Sequence, residues 1–320
     1  MAYDIAEPVL LRRGIFASKR GSLYIDDNWT PGGVSEQFAD DADTYHAMRN
    51  LDFTNDLERC FTLAQIDRGA KFVLDIGSGA GSTALAASEL LPEATIVASD
   101  ISPQLLSILA RTVEADARLR RRIKIYCFDL HAPFFEREQF DLIVGWAVLH
   151  HLTDPYAALK NVAESLKPGG KLMMNEPLEA GCLLLGAVYE KCIKVLMELG
   201  LGDGVLAEAL RAQRFDMQHR LGVPVVQSWT AGLDDKWLFD EPYLMELSEQ
   251  LGFRRVEVHP VEDDMTRVYE GCLRSLLFAT GNAELDVPQA VYDVIREFDR
   301  GIAPELKRKL SPAGLIIFTK

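Results

Sequence analysis

The residues best placed to do chemistry form a glycine turn with acids around it. The apolar run Val73-Leu74 leads through Asp75 and Ile76 into Gly77-Ser78-Gly79-Ala80-Gly81, and a helical pattern begins at Ser82. Glycines let a backbone turn sharply and approach a ligand closely, while the following helix presents unpaired N–H groups. Asp100 ends the next apolar run, where a carboxylate can accept hydrogen bonds from both hydroxyls of a ribose. Asp129 follows the third run in Cys127-Phe128-Asp129-Leu130; it suits an adenine amino group, with Leu130 against the ring. The turn alone leaves a dinucleotide fold open. That pattern, G-x-G-x-x-G, requires glycine at position 82, where this chain has serine.

Short apolar runs and helical stretches must position these groups. Strands are expected at 72–74, 95–98, 123–126, 140–144 and 171–174, with helices at 82–91, 103–118 and 155–166 between them. Such alternation implies βαβ units and a parallel sheet. Lys167-Pro168-Gly169-Gly170 reads as the turn that ends a helix and starts the fifth strand. Residues 1–69 read as an N-terminal cap and 70–177 as the ligand-binding core. Residues 178–251 form a helical insertion, with an amphipathic helix at 182–199 and a second helix at 205–215. Residues 252–320 return to the core with two strands, at 253–258 and 315–319, around a second helical insertion at about 259–313. Both insertions are expected at the carboxyl edge of the sheet, where ligands bind in open α/β folds, and read as a substrate lid.

Composition narrows the function. The formal charge is −14, which disfavours a nucleic-acid backbone as partner. The basic run Arg118 to Lys124 reads as a solvated helix end. The most apolar stretch, 182–199, contains Glu190, Lys191, Lys194 and Glu198, so no membrane span is expected. Five scattered cysteines without a CxxC pair and no apolar leader segment point to the cytoplasm, with neither a disulfide framework nor a zinc site.

Five elements agree in order and spacing with a known family. They are Asp75 to Gly81, Asp100, Asp129-Leu130, Phe140-Asp141-Leu142-Ile143-Val144 and Leu166 to Gly170. Together with Leu149-His150-His151-Leu152 they resemble the class I S-adenosylmethionine-dependent methyltransferases, in particular the small-molecule branch. The resemblance spans residues 38–176 and the strands near 253–258 and 314–320. It implies a Rossmann-like, seven-stranded, mostly parallel sheet with helices on both faces. It also implies S-adenosyl-L-methionine as cofactor, with S-adenosyl-L-homocysteine as product.

Carried onto this chain, the resemblance implies that Gly77, Ser78 and Gly79 form the loop passing the methionine moiety. Asp75 would buttress that loop and reach the cofactor amine through water. Asp100 would hold the ribose, Ile101 would cover the adenine, and Asp129 with Leu130 would read its edge. Trp146 and Ala147 would sit beneath the sulfonium, and Tyr45 would close over the cofactor.

The acceptor is less legible. A hydroxyl acceptor needs a base, for which His150 and His151 are the candidates, with His219 as a lid alternative. Adjacent histidines at a strand-to-helix junction are expected to point in different directions, and no metal site is expected. Acidic pairs such as Asp26-Asp27 and Asp234-Asp235 read as solvated loops. The leading expectation is O-methylation of a small organic metabolite. N- or C-methylation, an NAD-dependent oxidoreductase and a non-catalytic cofactor-binding protein are the alternatives. A homodimer is left open.

Overall fold

The computed structural model describes residues 11–12, 17–30, 42–43, 53–220, 234–261 and 264–320. Its strands are β1 (Ala17–Arg20), β2 (Leu23–Asp26), β3 (Phe72–Ile76), β4 (Thr95–Asp100), β5 (Ile123–Cys127), β6 (Phe140–Trp146), β7 (Leu166–Pro177), β8 (Arg255–Pro260) and β9 (Ala313–Thr319). They form one sheet in the order β1-β2-β5-β4-β3-β6-β7-β9-β8. β3 pairs in parallel with both β4 and β6, and β4 in parallel with β5. Their side chains, Val73, Leu74, Ile96, Val97, Ile125, Ile143 and Val144 among them, are almost wholly excluded from water. Burial on both faces explains why these strands read as continuous apolar runs rather than alternating ones.

Among the described residues the sheet has nine strands, not seven. Two extra strands come from the segment expected to be a cap: β1 and β2 form an antiparallel hairpin, and β2 adds in parallel to β5. Gly21 turns the hairpin at φ +61°. Tyr24 then stacks on its register partner Tyr126, ring centroids 5.0 Å apart. Four-residue strands carry too little alternation to stand out in sequence.

The helices of this part are α1 (Thr54–Leu63), α2 (Ser82–Leu90), α3 (Pro103–Ala115), α4 (Ala117–Arg122) and α5 (Pro155–Ser165). The stretch expected as one helix over 103–118 breaks at Asp116, whose side chain accepts the N–H of Arg118 at 2.7 Å and starts α4. In the basic run, Arg122 is not merely solvated. Its guanidinium donates to the carbonyls of Ser88 at 2.7 Å and Ala94 at 3.1 Å, and also to Leu91 O, closing the C-terminal end of α2. The segment 167–170, expected as a turn, lies within β7. Gly169 N–H donates to Lys320 O at 2.9 Å and Lys320 N–H returns a bond to Gly170 O at 3.0 Å.

Asp141 fastens the end of the sheet remote from the glycine turn. Its Oδ2 accepts the N–H groups of Lys71 and Phe72, both at 2.9 Å, and its Oδ1 receives Lys167 Nζ at 2.6 Å. Burial alone would raise this carboxyl, but these donors outweigh it and hold it below its ordinary value.

The chain divides into two compact units. The first comprises residues 1–174, 245–257 and 316–320; the second comprises 175–244 and 258–315. The second is largely helical, with α6 (Glu179–Glu198), α7 (Val205–His219), α9 (Val268–Ala279), α10 (Gln289–Gly301) and α11 (Pro304–Lys309); α8 (Glu241–Gln250) precedes β8. Its core joins Val188, Tyr189 and Cys192 of α6 with Leu210 of α7, Leu273 of α9 and Ile295 of α10. Gly181 in α6 is required by close packing, because a Cβ there would lie 2.1 Å from Ser311 O. Among the described residues no helix is long and apolar enough to cross a membrane.

Candidate functional site

The sheet order places β3 where the topology reverses, since the chain crosses to β4 on one side and later to β6 on the other. Ligands of open α/β sheets bind outside the strand carboxyl ends at such a point. The expected site residues sit there: Asp75 in β3, the loop 77–81 after it, Asp100 at the end of β4, Asp129 after β5, and Trp146 at the end of β6.

The glycine loop is held from beneath by hydroxyls. Ser78 Oγ donates to Asp75 O at 2.9 Å and accepts the N–H of Ser99 at 2.9 Å, while Ser99 Oγ donates to Asp75 O at 3.0 Å. Ser78 is buried. Its side chain therefore holds the loop on the sheet, and what it offers a ligand is backbone.

The three glycines have separate physical reasons. Gly77 has φ +67°, and a Cβ on it would lie 2.4 Å from Val148 Cγ2. Gly81 has φ +97°, and a Cβ on it would lie 2.3 Å from Leu109 Cδ1 of α3. Gly79 has φ +52° and would meet nothing within 4 Å. Gly77 and Gly81 thus make room for protein, whereas Gly79 borders open space where a ligand can approach the backbone.

Asp100 joins loop to strand end. Its Oδ2 accepts the N–H of Gly79 at 2.8 Å and its Oδ1 the N–H of Ser102 at 2.8 Å. Ser102 itself caps α3, accepting the N–H of Leu105 at 3.2 Å ahead of Pro103. Asp100 is therefore not needed as the helix cap. Burial raises its carboxyl above the ordinary value, against the pull of its backbone donors.

Asp75 is the least satisfied group of the site. The residue is 1% exposed, and neither carboxylate oxygen has a hydrogen-bond partner among the described residues. Burial pushes the carboxyl up to about 8; the nearby Ser78 side chain and Ala84 N–H offset only part of this, and the charge of Asp100 adds to it. An unpaired buried acid under an open glycine loop is where a cationic amine or a bridging water would be stabilised.

Around Ile101, the residue expected to cover the adenine, the structure adds a residue that sequence reading did not assign. Trp29, just after β2, donates its Nε1–H to Ile101 O at 2.9 Å. Cys127 Sγ donates to the same carbonyl at 3.5 Å. Nothing in the spacing of Trp29 announces this, because the hairpin carrying it was not legible. Asp129 lies in the next loop, its Oδ1 accepting the N–H of His131 at 3.0 Å and facing the ring Nδ1 at 2.7 Å. The two groups support each other: the His131 contact holds the Asp129 carboxyl low, and the Asp129 contact holds the imidazole high. Leu130 is tied by its carbonyl, which accepts from Asn161 Nδ2 at 3.0 Å.

Beyond β6, Ala147 is exposed at φ +56°, a strained conformation for a residue with a side chain. Trp146 meets Phe53 edge to face, centroids 4.5 Å apart. His150 and His151 follow on a short 3₁₀ turn, Leu149–His151, with His150 buried. Contrary to expectation the two rings do not turn away from each other. Their centroids are 4.2 Å apart with a 42° tilt. Tyr45 lies outside the described residues. His219 belongs to the second unit, where its Nδ1 lies 2.7 Å from Phe215 O. In that unit, too, Asp235 of the acidic pair is not simply solvated, since it lies 3.1 Å from Arg220.

The donor and acceptor set fits S-adenosyl-L-methionine: an open loop at Gly79, a strand-end carboxylate at Asp100, an unpaired acid at Asp75 and an outward carboxylate at Asp129. Comparison with known proteins agrees. Residues 74–172 match the family described as a methyltransferase domain. The methyltransferase str2 of Strobilurus tenacellus is 34% identical over 116 residues, 36% of this chain and 38% of that protein. The ubiquinone biosynthesis O-methyltransferase of Coxiella burnetii is 29% identical over 150 residues, 47% of this chain and 56% of that protein. The chain thus spans little more than half the length of these curated relatives, or less. Among solved structures, the fold is shared with phosphoethanolamine N-methyltransferase 2 of Haemonchus contortus in complex with S-adenosyl-L-methionine. The TM-score is 0.51 at 18% identity, covering 91% of this chain and 60% of that one. It is also shared with a chain of the complex between the Haloferax volcanii Trm112 methyltransferase activator and a methyltransferase, with a TM-score of 0.54 at 13% identity, covering 89% of this chain and 98% of that one.

Proposed function

From a class I S-adenosylmethionine-dependent methyltransferase domain at residues 74–172, with S-adenosyl-L-methionine as its cofactor, we infer that this chain methylates a small organic metabolite, on oxygen. The observation that carries the cofactor half of this reading is the cradle of Gly79, Asp100 and unpaired Asp75. The acceptor half rests on the charge of −14, which repels polyanions, and on the imidazoles that follow β6. The name of the Coxiella burnetii relative points to an oxygen acceptor as well.

The cofactor supplies an activated methyl group on a sulfonium, so the protein contributes orientation rather than activation. Fixing donor and acceptor in line is worth about 7–11 kcal/mol of the barrier. In this reading the Asp100 carboxylate holds the ribose while its Oδ2 keeps Gly79 in place. Asp75 receives the amino end, and Ile101 and Leu130 enclose the base. His151, less buried than His150, takes the proton from the acceptor hydroxyl, and His150 orients it by ring contact. The five cysteines are all free, which suits the reducing cytoplasm in which we place the protein.

The test is turnover of S-adenosyl-L-methionine with a panel of phenols, amines and carbon acids, read as the gain of one methyl group. Transfer to phenols that falls in His151→Ala across about pH 6–9 supports the reading. Unchanged rate and pH profile in both single histidine variants would dismiss the base. Activity on intact RNA or folded protein, with none on small molecules, would overturn the acceptor class.

A further inference from the structure

Both hydrogen bonds that hold the Asp129 carboxylate land on one oxygen. Oδ1 accepts the backbone N–H of His131 at 3.0 Å and faces the ring Nδ1 at 2.7 Å, whereas Oδ2 has no partner among the described residues. The far side of the ring is also engaged. Nε2 accepts the N–H of Asp154 at 3.2 Å and lies 3.3 Å from Thr153 Oγ1. A ring nitrogen that accepts an N–H carries no proton, so the neutral imidazole has its proton on Nδ1, aimed at Asp129.

The strap ends on a firm element. Asp154 is the N-cap of α5, its Oδ1 accepting the N–H of Ala157 at 3.0 Å before Pro155 sets the first turn. Asn161, farther along α5, ties the same loop again through Leu130 O. The loop 129–131 after β5 is therefore held to the start of α5 by His131 and Asn161 together. The charged groups facing the imidazole are the carboxylates of Asp129 and Asp154. Asp129 stays below its ordinary range, so it is an acceptor at neutral pH.

We propose that His131 is a positioning residue for base selection: by pinning Oδ1 of Asp129, it leaves Oδ2 as a fixed acceptor that favours a 6-amino purine on the cofactor over a 6-oxo purine. The proposal rests on the assignment of Asp129 to the adenine edge. An exocyclic amine donates to a carboxylate, whereas a carbonyl in its place sets two acceptors against each other. A carboxylate free to rotate can escape that clash. One held at Oδ1 cannot.

The test is calorimetric titration of the full chain with S-adenosylhomocysteine and with S-inosylhomocysteine. The unaltered protein is expected to favour the adenosyl compound, and His131→Ala to lose about tenfold of that preference, the equivalent of one hydrogen bond to a charged group. His131→Asn places an amide N–H near the position of Nδ1 and is expected to restore the preference. His131→Gln reaches the position of Nε2 instead and is not. A purely structural role would weaken both compounds together, so an unchanged ratio in His131→Ala overturns the proposal. Should that variant fail to fold, the Asn and Gln pair decides alone: equal ratios in the two overturn the proposal. If the unaltered protein fails to distinguish the two compounds, the adenine assignment of Asp129 falls first. If it binds neither, the cofactor reading falls with it.

Discussion

The carboxylate of Asp100 accepts the backbone N–H of Gly79 at 2.8 Å, so the group expected to hold the ribose also sets the position of the glycine loop. In the proposed cofactor site one side chain would thereby govern two parts. Asp100→Ala should weaken S-adenosylhomocysteine by about 1.5–3 kcal/mol, the range for hydrogen bonds involving a charged group. Asp100→Asn keeps an oxygen for Gly79 and should lose less. Calorimetric titration of both variants checks this, and equal affinity for all three proteins would remove Asp100 from the site.

Gly77 and Gly79 separate stability from binding. An alanine methyl at 77 meets Val148 Cγ2 at 2.4 Å, and at 79 meets nothing within 4 Å, although both backbones are left-handed. Gly77→Ala should cost the fold several kcal/mol by overpacking and strain together, with partial recovery on adding Val148→Ala. Gly79→Ala should cost the fold only about 1–2 kcal/mol while obstructing cofactor approach. Thermal denaturation beside cofactor titration distinguishes them. Equal losses of stability in the two variants would contradict the assignment.

The helical unit holds a buried ion pair that should be costly to break. Lys307, 1% exposed, donates to Asp299 O at 2.6 Å and lies 3.8 Å from Asp299 Oδ1. Asp299 in turn accepts the N–H groups of Tyr269 and Glu270 at 3.2 Å, closing the N-terminus of α9 from α10. Burial raises the Asp299 carboxyl against these donors and the lysine charge. Lys307→Met should therefore destabilise by about 3–5 kcal/mol, because it leaves a buried carboxylate uncompensated. Adding Asp299→Asn should recover part of the loss. Urea denaturation of the single and double variants measures it, and a neutral Lys307→Met would show the pair to be dispensable.

The five central strands were legible because burial on both faces writes them as apolar runs. Asp75, Asp100 and Asp129 were legible because each closes or follows one of those runs. The hairpin 17–26 was not, because two short strands paired at a sheet edge leave no periodic trace, and Trp29 was lost with it. The spacing Asp129-x-His131 was visible, but its meaning depends on Asp154 arriving from another loop. The division of labour among Gly77, Gly79 and Gly81 was hidden for the same reason. The sequence shows three glycines, and only the positions of Val148 and Leu109 tell which of them face protein.

Asp75 should couple cofactor binding to a proton. Its folded value of about 8 lies above the ordinary 3.8, so between those values the folded protein binds the extra proton and the unfolded chain does not. Stability then falls as pH rises through that window, and the cost is complete above about pH 8. Asp75→Asn removes the titration. It should match the unaltered protein near pH 4 and be the more stable by a few kcal/mol at about pH 8.5, since every pH step of one across that window is worth about 1.4 kcal/mol. A cofactor ammonium near the unpaired oxygens favours the ionised acid, so binding at about pH 7 should release up to one proton. Titrations in two buffers of different ionisation enthalpy read this directly. The unaltered protein should give different heats in the two buffers and Asp75→Asn the same heat. Identical heats for the unaltered protein would mean that binding leaves the protonation of Asp75 unchanged, and would overturn the coupling.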